Sequence, residues 1–172
     1  VLGGFEVTLC DLAGVYASMA RTLNHQTLKK FKINTSDFPA PIYLQNKNVK
    51  STTSQDDRLD VSSIYFTFQA MKEVMRPGEE GLWQQFSSSQ TIAWKTGTSF
   101  GFRDGWAVGV TPKYVVAVWC GNADGEGRPD LVGAATAAPV MFDVFSVLPS
   151  CSWYSPPYYD LKTVKTCKKT GM

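Results

Sequence analysis

Residues Thr91 to Ser99 read TIAWKTGTS, an apolar strand-like run that opens directly into an ammonium, several hydroxyls and a glycine. With period 2, Lys95 and Gly97 fall on one face and Trp94, Thr96 and Thr98 on the other, so the hydroxyls of Thr96 and Thr98 can converge on one ligand. A cation, two hydroxyls and a bare backbone suit an anion. Gly97 has no Cβ, so a ligand can lie against the strand and be held by main-chain N–H and C=O groups as well as by side chains. This arrangement suits a peptide that ends in a carboxylate. A lone K-T-G carries little weight, and the chain has a second one at Lys169, Thr170 and Gly171 in a Lys-rich tail. Context separates the two, because only the first is followed by further strand-like runs, FGFRDGWAVGV and YVVAVWCGN.

The positioning elements can be read from period and punctuation. Strands are predicted at 91–98, 104–111 and 114–121, and the short links between them demand antiparallel neighbours. The middle strand alternates Trp106, Val108 and Val110 with Gly105, Ala107 and Gly109, and the small face predicts a helix packed tightly on the sheet. Arg103 and Asp104, at the entrance of that strand, read as an ion pair fixing the loop in preference to a substrate contact. Upstream, Thr8 and Asp11 form a T-x-x-D box ahead of a helix over 9–22, with Leu9, Leu12, Ala13, Tyr16, Ala17 and Ala20 at helical spacing. Asp60 is the N-cap of a second helix, whose Val61, Ile64, Phe68, Met71 and Met75 form a core stripe ending before Arg76-Pro77-Gly78. A third helix starts at the cap Thr136 and runs to about Leu148, with Pro139 in its first turn and Val140, Val144, Val147 and Leu148 as its apolar face. Between the first two helices the pattern weakens to a short strand candidate at 42–45 and a polar loop at 51–57. Trp83 and the loop Ser87-Ser88-Ser89 precede the first strand. NADGEGRPD at 122–130 alternates oxygen donors with glycines, but Gly133 stands where a calcium loop needs a bidentate glutamate, so it reads as a surface loop.

Composition limits the function classes. At 172 residues, 44% hydrophobic and 13% aromatic, the chain can build a core. A formal charge of +2 and the lack of any nucleic-acid-binding motif argue against nucleic acid as a partner. No run of about 18 apolar residues spans a membrane. The four cysteines, Cys10, Cys120, Cys151 and Cys167, show no C-x-x-C, and with a single histidine, His25, neither a metal site nor a cofactor is expected. A solitary histidine reads as a surface or structural group. Cys10 and Cys120 read as small buried apolar groups. Cys151 and Cys167 can pair in an oxidising compartment, which would contribute about 3 kcal/mol. Residues 1–149 read as one domain portion, and 150–172, rich in Tyr, Pro and Lys, as a linker and the start of something further.

WKTGTSFGFRDGWAVGVTPKYVVAVWCGN followed by GAATAAPVMFDVF strongly resembles the C-terminal part of the transpeptidase domain of bifunctional, class A penicillin-binding proteins, most closely the 1C type. LGGFEVTLCDLAGVYASMA resembles that domain's helix just upstream, and VKTCKKTG resembles the opening of the domain that follows it. The resemblance implies an α/β fold, an antiparallel sheet flanked by helices, of which this chain holds the C-terminal part. It implies a serine D,D-transpeptidase that is acylated by the D-Ala-D-Ala end of a peptidoglycan stem peptide and passes the acyl group to a neighbouring amine. β-Lactams mimic the same dipeptide. Lys95 would then supply positive charge, Thr96 and Thr98 would bind the terminal carboxylate, the Thr98 N–H would serve the oxyanion hole, and Gly97 would leave room for the ligand. It also implies that Cys167 pairs beyond Met172 in preference to Cys151.

The chain departs from the family in one respect: no serine stands in an S-x-x-K or S-x-N spacing. Both elements lie upstream in the family, so the nucleophile is expected in a missing upstream half, and this chain alone is expected to be inactive. The parent is expected at the extracytoplasmic face of the cytoplasmic membrane, anchored by an upstream segment, with a glycosyltransferase domain elsewhere. The alternatives are a noncatalytic module that binds D-Ala-D-Ala peptides and a fragment of a serine β-lactamase or carboxypeptidase.

Overall fold

The computed structural model describes residues 6–28, 59–75 and 90–170. Its centre is a sheet of three strands, β1 (Ala93–Thr98), β2 (Asp104–Val110) and β3 (Val115–Gly121), in the order β1-β2-β3 and antiparallel throughout. The predicted strands are therefore present, the first starting two positions later than expected. Lys95 lies opposite Val108, Gly97 opposite Trp106, Thr96 opposite Ala107 and Thr98 opposite Gly105. The β2–β3 turn is closed by its own hydroxyl: Thr111 Oγ1 accepts from the Tyr114 N–H (3.0 Å), and the Thr111 N–H donates to the Tyr114 carbonyl (2.8 Å).

Helices cover both faces of the sheet. Ala93, Val108 and Val110 share a core with Met19, Ala20 and Leu23 of α1 (Leu9–Leu28) and with Val61, Ile64, Phe68 and Met71 of α2 (Val61–Lys72). On the other face Ile92, Trp94 and Ala107 pack with Ala137, Ala138, Met141 and Phe145 of α3 (Ala137–Val147). The small face of β2 does what its sequence predicts. A Cβ at Gly109 would stand 2.5 Å from Phe145 Cε2 and 2.8 Å from Met141 Sδ, so only glycine lets α3 come this close.

The T-x-x-D box opens α1: the Thr8 hydroxyl accepts from the Asp11 N–H (3.1 Å) and donates to the Asp11 carboxylate (2.6 Å). The helix runs six residues past the expected end, to Leu28, because Leu23 is buried in the core and the Asn24 amide donates to the Pro112 carbonyl (2.7 Å). Cys10 is exposed on this helix, not buried as its position suggested. In α2 the core stripe holds from Val61 to Met71, but Met75 lies beyond the helix and is exposed. Asp60 occupies the N-cap position without a side-chain cap bond, its carboxylate accepting instead from the Ser62 hydroxyl.

The third helix corrects the sequence reading. Its buried face is Ala137, Ala138, Met141 and Phe145, whereas Val140, Val144 and Val147 are exposed, Val147 by 80%. Two alanines and a flexible methionine fit against β2 where branched valines would collide. Thr136 sits at the N-cap, but its hydroxyl donates back to the Val132 carbonyl (2.9 Å) and does not cap the helix.

After α3 the chain returns to the first core. Tyr154 is buried there, its ring centroid 5.9 Å from that of Phe68, and its hydroxyl donates to the Thr111 carbonyl (3.1 Å). All four cysteines are free thiols. The readings of residues 42–45, 51–57 and 76–89 and of Gly171 lie outside the described residues. No helix among the described residues is long and apolar enough to cross a membrane.

Candidate functional site

Among the described residues β1 is an edge strand, paired with β2 on one side only. An edge offers unpaired N–H and C=O groups in a row, to which an extended peptide can add as a further strand. Trp94 holds this edge in place. Its ring meets Phe142 of α3 edge-on at 5.1 Å, and its indole N–H donates to the Val74 carbonyl just past the end of α2 (3.1 Å).

A cavity of about 500 Å³ opens where β1 passes the N-terminus of α1. Lys95, Thr96, Gly97, Thr98 and Ser99 all line it. Leu12 and Tyr16 of α1, with Glu6 and Val7 just before it, form one wall, and Asp104, Trp106 and Val108 of β2 form the other. The structure thus brings the four predicted site residues to one opening, with apolar side chains and the acidic residues Glu6 and Asp104 lining the rest of it. Burial raises the pKa of Tyr16, so its phenol stays neutral across the physiological range and serves the cavity as a hydrogen-bonding or packing group.

Each strand residue differs in what restrains it. Lys95 is exposed, and its ammonium donates to the carbonyl of Thr96. Thr98 is exposed too, but its Oγ1 accepts from the Gly133 N–H (3.1 Å). Ser99 closes the hairpin: its N–H donates to the Asp104 carbonyl (3.0 Å), and its Oγ accepts from the Asp104 N–H (2.8 Å). The expected ion pair of Arg103 with Asp104 is not what holds this corner. The Asp104 carboxylate accepts from the Trp119 indole N–H (2.8 Å), and Arg103 is exposed. Trp119 in turn meets Trp106 at 6.4 Å, so a tryptophan pair stiffens the sheet beside the cavity.

The loop at 122–130 is exposed from Ala123 on and carries internal bonds, Asn122 Nδ2 donating to the Glu126 carbonyl (2.8 Å) and the Glu126 N–H to Asp124 Oδ1 (3.0 Å). His25, in the last turn of α1, is part-buried and away from the residues that line the cavity. Lys169 and Thr170, from the second K-T-G, are exposed in the tail and do not line it either.

Gly97 is free of packing demands. A Cβ there would meet only Trp106 Cβ at 3.6 Å and Cδ1 at 3.9 Å, ordinary contacts that leave the fold undisturbed. Its lack of a side chain therefore matters to whatever lies over the strand. Gly97→Ala is expected to change stability by no more than about 0.5 kcal/mol. The same change is expected to weaken binding of a carboxylate-ended peptide on the order of ten-fold. Thermal unfolding and a peptide titration on one preparation check both; equal binding would remove Gly97 from the site.

Sequence reading missed Gly133, Tyr16 and Trp119. Each reaches the site from another element, and only the G-A-A-T run before α3 carried a local signal, that of a tight turn.

Comparison with known proteins yields the following. The chain is 30% identical over 152 residues to penicillin-binding protein 1C of Escherichia coli K12, covering 88% of this chain and 17% of that protein. It is 25% identical over 143 residues to penicillin-binding protein 1B of Haemophilus influenzae and 26% identical over 140 residues to that of Vibrio cholerae, covering 83% and 81% of this chain. The chain spans 17% of the length of each of these relatives. No family model matches the chain, and no solved structure matches it significantly.

Proposed function

We propose, from the premise that this chain is a relative of penicillin-binding proteins 1C and 1B, that it is the carboxylate-binding side of a peptidoglycan D,D-transpeptidase. The observation that carries the reading is the run Lys95 to Thr98 along a sheet edge that is unpaired among the described residues and opens on a cavity. A stem peptide ending in D-Ala-D-Ala adds to that edge as an extended strand, its terminal carboxylate meeting the hydroxyls of Thr96 and Thr98 and the charge of Lys95. A β-lactam carboxylate takes the same place. The sheet with helices on both faces is in keeping with the transpeptidase fold.

Acyl transfer from a peptide needs a nucleophile, a base, and donors for the oxygen that becomes negative in the transition state. The Thr98 N–H at the end of the free edge is suited to that last role, and one preorganised donor of this kind contributes about 3 kcal/mol. Lys95 lowers the cost of bringing an anion to the strand and stabilises the charge that develops there. The serine nucleophile and its base come from outside these 172 residues, since no S-x-x-K or S-x-N spacing occurs in them. Such an enzyme works on the extracytoplasmic face of the membrane, where its stem-peptide substrate lies.

The experiment is intact-mass spectrometry after incubation with benzylpenicillin. The 172-residue chain is expected to remain unmodified, and the chain in its native reading frame to gain one penicilloyl group on an upstream S-x-x-K serine. An adduct on the short chain would refute the assignment of the nucleophile to another segment. No adduct on the longer protein, with saturable binding of D-Ala-D-Ala peptides retained, would make the site a noncatalytic binding module.

A further inference from the structure

Thr98 is exposed at the end of β1, an edge strand among the described residues. A hydroxyl carries one proton and two lone pairs, and it can meet an anion only by donating that proton. In this structure an N–H already points at Thr98 Oγ1, that of Gly133 at 3.1 Å. We propose that Gly133 is a positioning residue for the anion site: its N–H holds the Thr98 oxygen as an acceptor and so leaves the hydroxyl proton to donate to a carboxylate. The proposal rests on the carboxylate reading above and deepens it by naming what sets the polarity of Thr98.

The placement of Gly133 is built into the fold. The residue is buried, and a Cβ on it would stand 2.4 Å from the Gly97 carbonyl oxygen and 2.5 Å from that of Trp106. It therefore lies directly against the backbone of the K-T-G strand and its neighbour, a position no other residue can take without moving main chain. Its own carbonyl accepts from the N–H groups of Ala137 (3.1 Å) and Ala138 (2.9 Å), which fastens it to the first turn of α3. The strip that leads to it is tied to the turn after β1 as well, the Arg128 N–H donating to the Phe102 carbonyl (3.0 Å). One strip thus holds both the Thr98 side chain and the turn that follows it. The ordering of Thr98 is completed on folding, so a ligand does not bear that cost on binding.

Two measurements test the role. In the 172-residue chain, hydrogen exchange of the Gly133 amide is expected to be slow, to accelerate at least about ten-fold in Thr98→Val, and to be restored in Thr98→Ser, with the other β1 and β2 amides unchanged. In the protein in its native reading frame, the acylation rate is compared for benzylpenicillin and its methyl ester, which lacks the carboxylate. Gly133→Ala is expected to lower the preference for the free carboxylate about five-fold, and adding it to Thr98→Val to lower that preference no further. Since Gly133→Ala keeps the N–H and presses on the Gly97 carbonyl, a purely structural role would lower the preference in the Thr98→Val background as well, which would overturn the proposal. Equal slowing of both compounds, or a Gly133 amide that exchanges no more slowly in wild type than in Thr98→Val, would overturn the proposal too; should Gly133→Ala fail to fold, the exchange measurement decides. Wild-type protein that reacts with neither compound, with the Gly133 amide still protected through Thr98, would overturn the carboxylate reading itself.

Discussion

Replacing Lys95 by alanine in the protein in its native reading frame is expected to slow acylation by benzylpenicillin about 10²-fold, while thermal unfolding stays where it was. The two halves have separate causes. Lys95 is exposed, and its ammonium bonds the carbonyl next in sequence, so the fold loses almost nothing with it. The ligand loses a unit charge beside its carboxylate, and at about 4 Å that charge is worth roughly 1 kcal/mol in water and about 4 kcal/mol in the less polar surroundings of a filled cavity. A 10²-fold effect, about 2.7 kcal/mol, lies between these limits. Lys95→Arg is expected to recover only part of the rate, because a planar guanidinium does not replace a compact ammonium. Stopped-flow acylation of the three proteins checks the order. If Lys95→Ala acylates as wild type does, the ammonium is a solvated surface charge and the site's anion preference rests on the hydroxyls alone.

The second large effect is on stability. Phe68→Ala is expected to lower the unfolding free energy by about 3–5 kcal/mol. The side chain is wholly buried, at 0% exposure, between the sheet and the returning tail, and Tyr154 packs on its ring. Truncation opens a cavity that the rigid tyrosine cannot fill. Phe66, on the same helix but 58% exposed, is the control, and its alanine variant is expected to stay within about 0.5 kcal/mol. Urea titrations with a common slope measure both; a cost at Phe68 as small as at Phe66 would mean the tail does not close this core. The same contact has a signature in pH. Burial, with Cys151 as a lesser cause, raises the folded phenol of Tyr154 above its ordinary value of 10.0. Its contribution to stability is therefore complete below the unfolded phenol's value and is lost as the pH rises above about 10 towards the folded one. Tyr154→Phe is expected to flatten that alkaline loss.

The parts of this fold that could be read from the sequence are those that depend on neighbours along the chain. The three strands, their antiparallel order, the first two helices and the small face of β2 follow from period, short links and glycine placement. The run Lys95 to Thr98 was legible for the same reason, because one strand supplies the whole set. What was illegible depends on what lies across the core. α3 is apolar on nearly every side, so period alone could not choose between its valines and its alanines; the close approach at Gly109 chose the alanines. Cys10 and Met75 lie near apolar stripes but are exposed. Asp104 stands beside Arg103 in sequence yet bonds a tryptophan from the far strand. Gly133 entered the sequence reading only as the residue standing where a calcium loop needs a glutamate, since its bond to Thr98 spans 35 positions.

The burial of Tyr154 also bears on the order in which this polypeptide can acquire its structure during synthesis. All three strands have been made some thirty residues before Tyr154 is added, about 2–7 s earlier at roughly 5–20 residues per second. Through that interval Phe68 and the Thr111 carbonyl lack the tyrosine that covers them in the finished core. The nascent chain therefore carries its sheet with one end open, and release of the segment after α3 is the event that closes it. A ribosome stalled before that point holds a chain with an accessible apolar seam, the kind of surface that chaperones engage.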